Sequence, residues 1–183
     1  MPLHLICGFL GSGKTTLLRR LLDQQPPEER LAIMVNEFGE LGIDGQILDG
    51  FDSQVLEVTG GCICCTLKTN FIAGLNWLLD EFKPDRIIVE ASGLAEAGSL
   101  AQMAQGVESL KRLALISVVT VVDADFFTCR EGMGSLYFDQ IKTAGLILLN
   151  KTDLVPAGEV EDLARAVAEI NPTARIPPHT SHP

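Results

Sequence analysis

Eight residues near the start of the chain, Gly8-Phe9-Leu10-Gly11-Ser12-Gly13-Lys14-Thr15, fit the pattern G-x-x-x-x-G-K-[ST] between an apolar run and a helical pattern. Glycines at Gly8, Gly11 and Gly13 let backbone amides, with that of Ser12 among them, converge on phosphate oxygens. Lys14 reaches the β and γ phosphates, and the Thr15 hydroxyl can ligate Mg²⁺. The helix that begins here adds the positive end of its dipole. An ordinary glycine-rich turn is the bland alternative, and the strand and helix patterns on either side argue against it.

A second group stands near the other end, where Asn150-Lys151-Thr152-Asp153 follows the apolar run Leu146 to Leu149. A carboxylate at Asp153 only accepts hydrogen bonds, so it suits the ring N–H and amino group of guanine, whereas adenine would present an acceptor to it. Four residues with one free position occur by chance, and a polar turn before Pro156 is the competing reading. The phosphate loop at the other end tips the balance to guanine. Between the two groups, Glu90 closes the run Asp85 to Val89 and precedes Ala91-Ser92-Gly93. An acid there can serve as a second Mg²⁺ anchor, and the Gly93 amide can meet a γ-phosphate; a charged strand terminus is the alternative.

Cys62, Cys64 and Cys65 gather three sulfur donors after Gly60 and Gly61. Three thiolates suit Zn²⁺ or Cu(I), with a redox pair and a plain turn of small side chains as rivals. Cys7 and Cys129 lack such company and read as packing residues. Asn36-Glu37-Phe38-Gly39-Glu40 opens a long stretch rich in Gly and Asp, so its carboxylates could reach Mg²⁺ or the thiols, or simply be solvated. His4 lies inside the first apolar run and reads as structural, while His179 and His182 stand in an unpatterned tail.

These groups need a frame. Apolar runs recur at Leu3 to Cys7, Leu31 to Val35, Val55 to Val58, Ile87 to Val89, Leu115 to Val122 and Leu146 to Leu149, and they predict buried strands. Helical patterns at Lys14 to Leu22, Phe71 to Phe82, Leu136 to Thr143 and Val160 to Ile170 alternate with them. Such alternation predicts an α/β fold in three layers, a mostly parallel central sheet with helices on both faces. Three prolines in Ile176 to Pro183 predict that any last strand is short or frayed.

The 183 residues suit one domain. No apolar run approaches the roughly 18 residues of a membrane span, and no basic leader follows Met1, so the expected compartment is the cytoplasm. Five cysteines, an odd count, speak against a disulfide framework. A net charge of -10 repels nucleic acid and anionic lipid, so neither is an expected partner.

In order and spacing, Gly8 to Thr15, Asn36 to Glu40, Cys62-Ile63-Cys64-Cys65, Glu90-Ala91-Ser92-Gly93 and Asn150 to Asp153 resemble the CobW-type P-loop GTPases. The resemblance runs from Leu5 to about Ile176 and includes the family's Glu, in place of the usual Asp, at the position of Glu90. It implies the P-loop NTPase fold, GTP or GDP with Mg²⁺ as ligands, and a role in delivering or inserting metal ions. It further implies that Asp44 lies in the switch region approaching Mg²⁺, that Thr16 contacts the α-phosphate, and that Glu40, Cys64 and Cys65 take part in metal binding. Val35 departs from the pattern, since some relatives carry an acid there, and Pro177-Pro178 interrupts the strand that leads to the last base-contacting loop. Most relatives also carry a smaller C-terminal domain, of which this sequence shows nothing, so the expectation is a single GTPase domain over residues 1–183.

The expected function is a GTP-hydrolysing switch, slow by itself, that couples nucleotide state to a thiophilic divalent metal such as zinc. Lys14, Thr15 and Glu90 organise the phosphates and Mg²⁺. Its expected partners are guanine nucleotide, a metal-requiring client protein and, depending on nucleotide, a second copy of the chain. A P-loop small-molecule kinase is one rival, opposed by Asp153 because kinases of that kind use ATP. The other is a metal store or sensor in which nucleotide is structural.

Overall fold

The computed structural model describes residues 1–36, 54–57, 65–106, 113 and 115–178. Six runs form strands of one sheet: β1 (Pro2–Cys7), β2 (Leu31–Asn36), β3 (Gln54–Glu57), β4 (Arg86–Ala91), β5 (Leu115–Asp123) and β6 (Leu146–Asn150). Their order is β3-β2-β4-β1-β5-β6, and each neighbouring pair is parallel. The six predicted runs are these six strands, each within a residue or two of its expected ends. Parallel neighbours need crossovers. Among the described residues these are α1 (Lys14–Asp23) after β1, α2 (Cys65–Trp77) before β4, α3 (Ala97–Gly106) after β4, and α4 (Ala124–Phe127) with α5 (Gly134–Thr143) between β5 and β6. A last helix, α6 (Ala157–Ile170), follows β6.

Strand residues point alternately to the two faces. Leu3, Leu5 and Cys7 of β1 join Phe71 and Leu75 of α2 and Ala97, Leu100 and Ala104 of α3 in one buried cluster. On the same face Val122 and Ile147 meet Tyr137 and Ile141 of α5 and Leu163 and Val167 of α6. Ile6, Ile33, Ile88 and Val121 face the other way, beneath Leu18 and Leu22 of α1. Both faces carry helix, as predicted, but unequally: among the described residues α1 alone covers one of them.

Two helices differ from expectation. The segment predicted as Phe71 to Phe82 starts earlier, at Cys65, and ends in a π-helical turn, Leu78–Phe82, closed where the Lys83 amide donates to Leu78 O at 2.9 Å. Helix α3 was not predicted, because its buried positions Ala97, Leu100 and Ala104 are mostly alanine and give little hydrophobic contrast.

Beyond α6, among the described residues, the chain pairs with the sheet through a parallel bridge between Arg175 and Leu146, in line with the short last strand expected before Pro177-Pro178. Asn171 fixes that return. Its buried amide donates to Ile141 O, Lys142 O and Ala144 O at the end of α5, while its carbonyl accepts from the amides of Thr173 and Ala174. His4 is structural as expected, with Nδ1 2.6 Å from Ser117 Oγ. Burial first, then the nearby Arg86 guanidinium, holds its pKa below the ordinary value. No helix among the described residues is long and apolar enough to cross a membrane.

Candidate nucleotide site

The sheet order places β1 between β4 and β5, so the loop leaving its carboxyl end emerges where the chain's winding reverses, the usual ligand position in such sheets. Gly13 caps α1 in the left-handed region at φ 103°. A Cβ there would also overlap the side-chain amide of Asn150, so both backbone and space demand glycine. Helix α1 has neither a side-chain cap nor an acid in its first turn, which leaves the amides at its N-terminus open to an outside anion. Ser12, 1% exposed, has a buried hydroxyl with no hydrogen-bond partner among the described residues. An unsatisfied buried hydroxyl costs roughly 1–3 kcal/mol, and a bound phosphate oxygen would remove that cost. The loop therefore fits a phosphate. Lys14 is 8% exposed and curls back over the loop, its Nζ donating to Phe9 O at 3.1 Å.

Across the loop, the Thr15 hydroxyl donates to Glu90 Oε1 at 2.8 Å. Glu90 lies within β4 and not at its end, since the strand continues to Ala91; the carboxylate is 5% exposed and its residue pairs with Ile6 and Val35. An alcohol and a carboxylate this close form an oxygen pair of the kind a hard cation takes. Gly93 lies against the phosphate loop, where a Cβ would sit 2.7 Å from the Leu10 backbone nitrogen. Its carbonyl and that of Ala95 both accept from Gln140 Nε2, at 3.1 and 3.0 Å. Gln140 gave no sign in sequence, since its partners lie 47 and 45 positions away.

At the end of β6, Asn150 Nδ2 donates to Ser12 O at 2.8 Å and ties two motifs 138 positions apart into one site. Lys151 follows in the left-handed region at φ 58°, and Asp153 stands exposed in the turn Thr152–Leu154. Gly13, Thr16, Leu17, Arg20, Val121, Leu148, Leu149 and Asn150 line a cleft of about 170 Å³, so Thr16 and Asn150 border the same cleft. Gly8, Gly11, Ser12, Gly13, Lys14, Thr15, Thr16, Glu90, Gly93, Asn150, Lys151 and Asp153 are all on elements that meet at this edge.

Of the predicted transition-metal residues, Glu40, Cys62 and Cys64 lie outside the described residues, as does Asp44 of the predicted Mg²⁺ set, and Cys65 opens α2 with only its backbone described. Among the described residues no three His, Cys, Asp or Glu side chains form a metal-holding group. Asn36 pairs with Ala91, so the chain leaves β2 beside the strand that bears Glu90. Cys7 is a packing residue as expected, its thiol pushed up to about 12 chiefly by burial. Cys129 is not: it is exposed, in the turn after α4, where no core reaches it.

The model of the CobW/HypB/UreG nucleotide-binding domain matches residues 2–178. The chain belongs to this family. It is 37% identical over 186 residues to the zinc chaperone CobW of Sinorhizobium, covering 86% of this chain and 52% of that protein. It is likewise 37% identical over 182 residues to the zinc chaperone YjiA of Escherichia coli K12, covering 96% of this chain and 56% of that one. The crystal structure of the Zn(II)-bound YjiA GTPase superposes with a TM-score of 0.73 at 30% identity, covering 100% of this chain and 58% of that chain. The fold is thus that of P-loop NTPases, in three layers, as predicted. The chain spans about half the length of these relatives.

Proposed function

We propose that this chain binds and slowly hydrolyses GTP, and that its nucleotide state governs the holding and release of a transition metal, zinc foremost, for a metal-requiring client protein. One observation supports the nucleotide half: the Asn150–Ser12 hydrogen bond ties the phosphate loop to the end of β6, from which the turn carrying Asp153 departs. Family membership and the names of the relatives, zinc chaperones in both cases, support the metal half.

In this reading the loop amides from Gly8 to Thr15 and the Lys14 ammonium hold the phosphates, and Thr16 meets the α-phosphate. Mg²⁺ would be held by the Thr15 hydroxyl and by Glu90, with Asp44 from the switch region, and when bound it offsets charge on the β and γ phosphates. Gly93 offers its amide to the terminal phosphate from a backbone that Gln140 pins in place. Asn150 and Lys151 shape the base site, and Asp153 accepts from guanine. Turnover without an activating partner is expected on the order of 10⁻⁴ to 10⁻² per second. The cargo metal is assigned to Cys64 and Cys65, completed by Cys62 or Glu40.

Base selection tests the reading. GTP should bind roughly ten- to hundredfold tighter than ATP, because adenine would leave a site acceptor unpaired at a cost of about 1–3 kcal/mol. Asp153→Asn should move the preference toward xanthosine triphosphate, whose ring carbonyl offers an acceptor where guanine offers an amine. Equal affinity of the unaltered chain for GTP and ATP in a competition titration would sink the guanine assignment.

A further inference from the structure

Asp123 ends β5, beside Asn150 in the parallel ladder. Its two carboxylate oxygens do different work. Oδ1 accepts from the amides of Asp125 and Phe126, at 3.1 and 3.2 Å, and so caps α4. Oδ2 meets Lys151 Nζ at 2.7 Å, and the Asp123 side chain is only 13% exposed. Lys151 is held at φ 58°, a conformation that costs an L-residue energy, immediately between the residue that grips the phosphate loop and the turn that carries Asp153. A lysine there would otherwise sweep its charge through several rotamers. The ion pair instead holds the tip of Lys151 at the carboxyl end of β5, one residue before the turn that carries Asp153, and so restricts where its four-carbon apolar stem can lie.

We propose that Asp123 is a positioning residue for nucleotide binding: by fixing the Lys151 ammonium it sets the lysine stem as one wall of the purine site. The inference rests on the guanine-nucleotide reading above. It places the effect on the base and not on the phosphates. Loss of Asp123 therefore weakens GDP and a non-hydrolysable GTP analogue by the same factor, whereas loss of Lys14 weakens the triphosphate more.

The cap and the anchor can be separated. Asp123→Asn keeps a side-chain oxygen for the α4 amides but loses the carboxylate that attracts Lys151. Lys151→Met keeps the apolar stem and removes the same ion pair from its other end. Binding of fluorescently labelled GDP is measured for the wild type, both single variants and the double variant, with competition by GTP and ATP on the wild type. Asp123→Asn is expected to weaken GDP roughly tenfold, within the range seen for contacting groups, and to have little further effect in the Lys151→Met background. Equal loss in both backgrounds would show that Asp123 acts through the α4 cap alone and overturn the proposal, as would a guanine-selective wild type that Asp123→Asn leaves unchanged. If ATP competes as well as GTP on the wild type, the guanine reading itself fails and takes this inference with it.

Discussion

Replacing Lys14 with alanine is expected to weaken a guanosine triphosphate analogue by more than about a hundredfold and to abolish hydrolysis. Each hydrogen bond from a charged donor is worth roughly 1.5–3 kcal/mol, so an ammonium that touches both β and γ phosphates supplies about 3 kcal/mol or more. That is over a hundredfold in affinity. The sequence places Lys14 on the loop but does not show that it is buried; at 8% exposure its stem is packed, and its Nζ donates to Phe9 O. Alanine therefore removes packing together with charge. Lys14→Met, which keeps most of the stem, isolates the charge and should lose as much affinity with the helical signal in circular dichroism intact. Triphosphate binding by Lys14→Met equal to that of the wild type would remove the lysine from phosphate recognition.

A comparably large effect is expected at the cysteines. Cys64→Ser/Cys65→Ser should lower Zn²⁺ affinity by more than roughly a hundredfold, since even residues that only orient metal ligands cost up to about that factor when altered. Serine is close in size to cysteine but is not ionised near neutral pH, so the substitution removes thiolate chemistry with little change in volume. Binding releases thiol protons, so wild-type affinity should also fall toward acid pH. Competition with a chromophoric chelator reads both. Unchanged Zn²⁺ affinity in the double variant would make these cysteines structural and send the search for ligands elsewhere.

What could be read from sequence was set by how local each signal is. The six strands show as apolar runs because β1, β4 and β5 are covered on both faces and leave little room for polar interruption. The phosphate loop shows because Gly13 and Lys14 must occupy fixed places within eight residues. Helix α3 escaped because alanine packs closely without marking a hydrophobic face. Gln140 and the Asp123–Lys151 pair escaped for another reason: each joins segments far apart in sequence, and neither glutamine nor aspartate announces a distant partner. Asp123 did carry one local clue, an N-cap residue just before Ala124, but that clue concerns α4 and not the lysine. Cys129 reads as packing from sequence because cysteines are often buried, and nothing nearby in sequence shows that its turn is exposed.

A nucleotide-governed metal switch requires that nucleotide state and metal affinity be coupled in this chain. A Zn²⁺ competition titration on the wild type, run with GDP and then with a non-hydrolysable GTP analogue, measures that coupling. The apparent Zn²⁺ dissociation constants are expected to differ between the two by a factor in the range of about 5 to 150, with Zn²⁺ shifting nucleotide affinity by the same factor. Identical constants with both nucleotides would contradict the switch, even where zinc and GTP each bind.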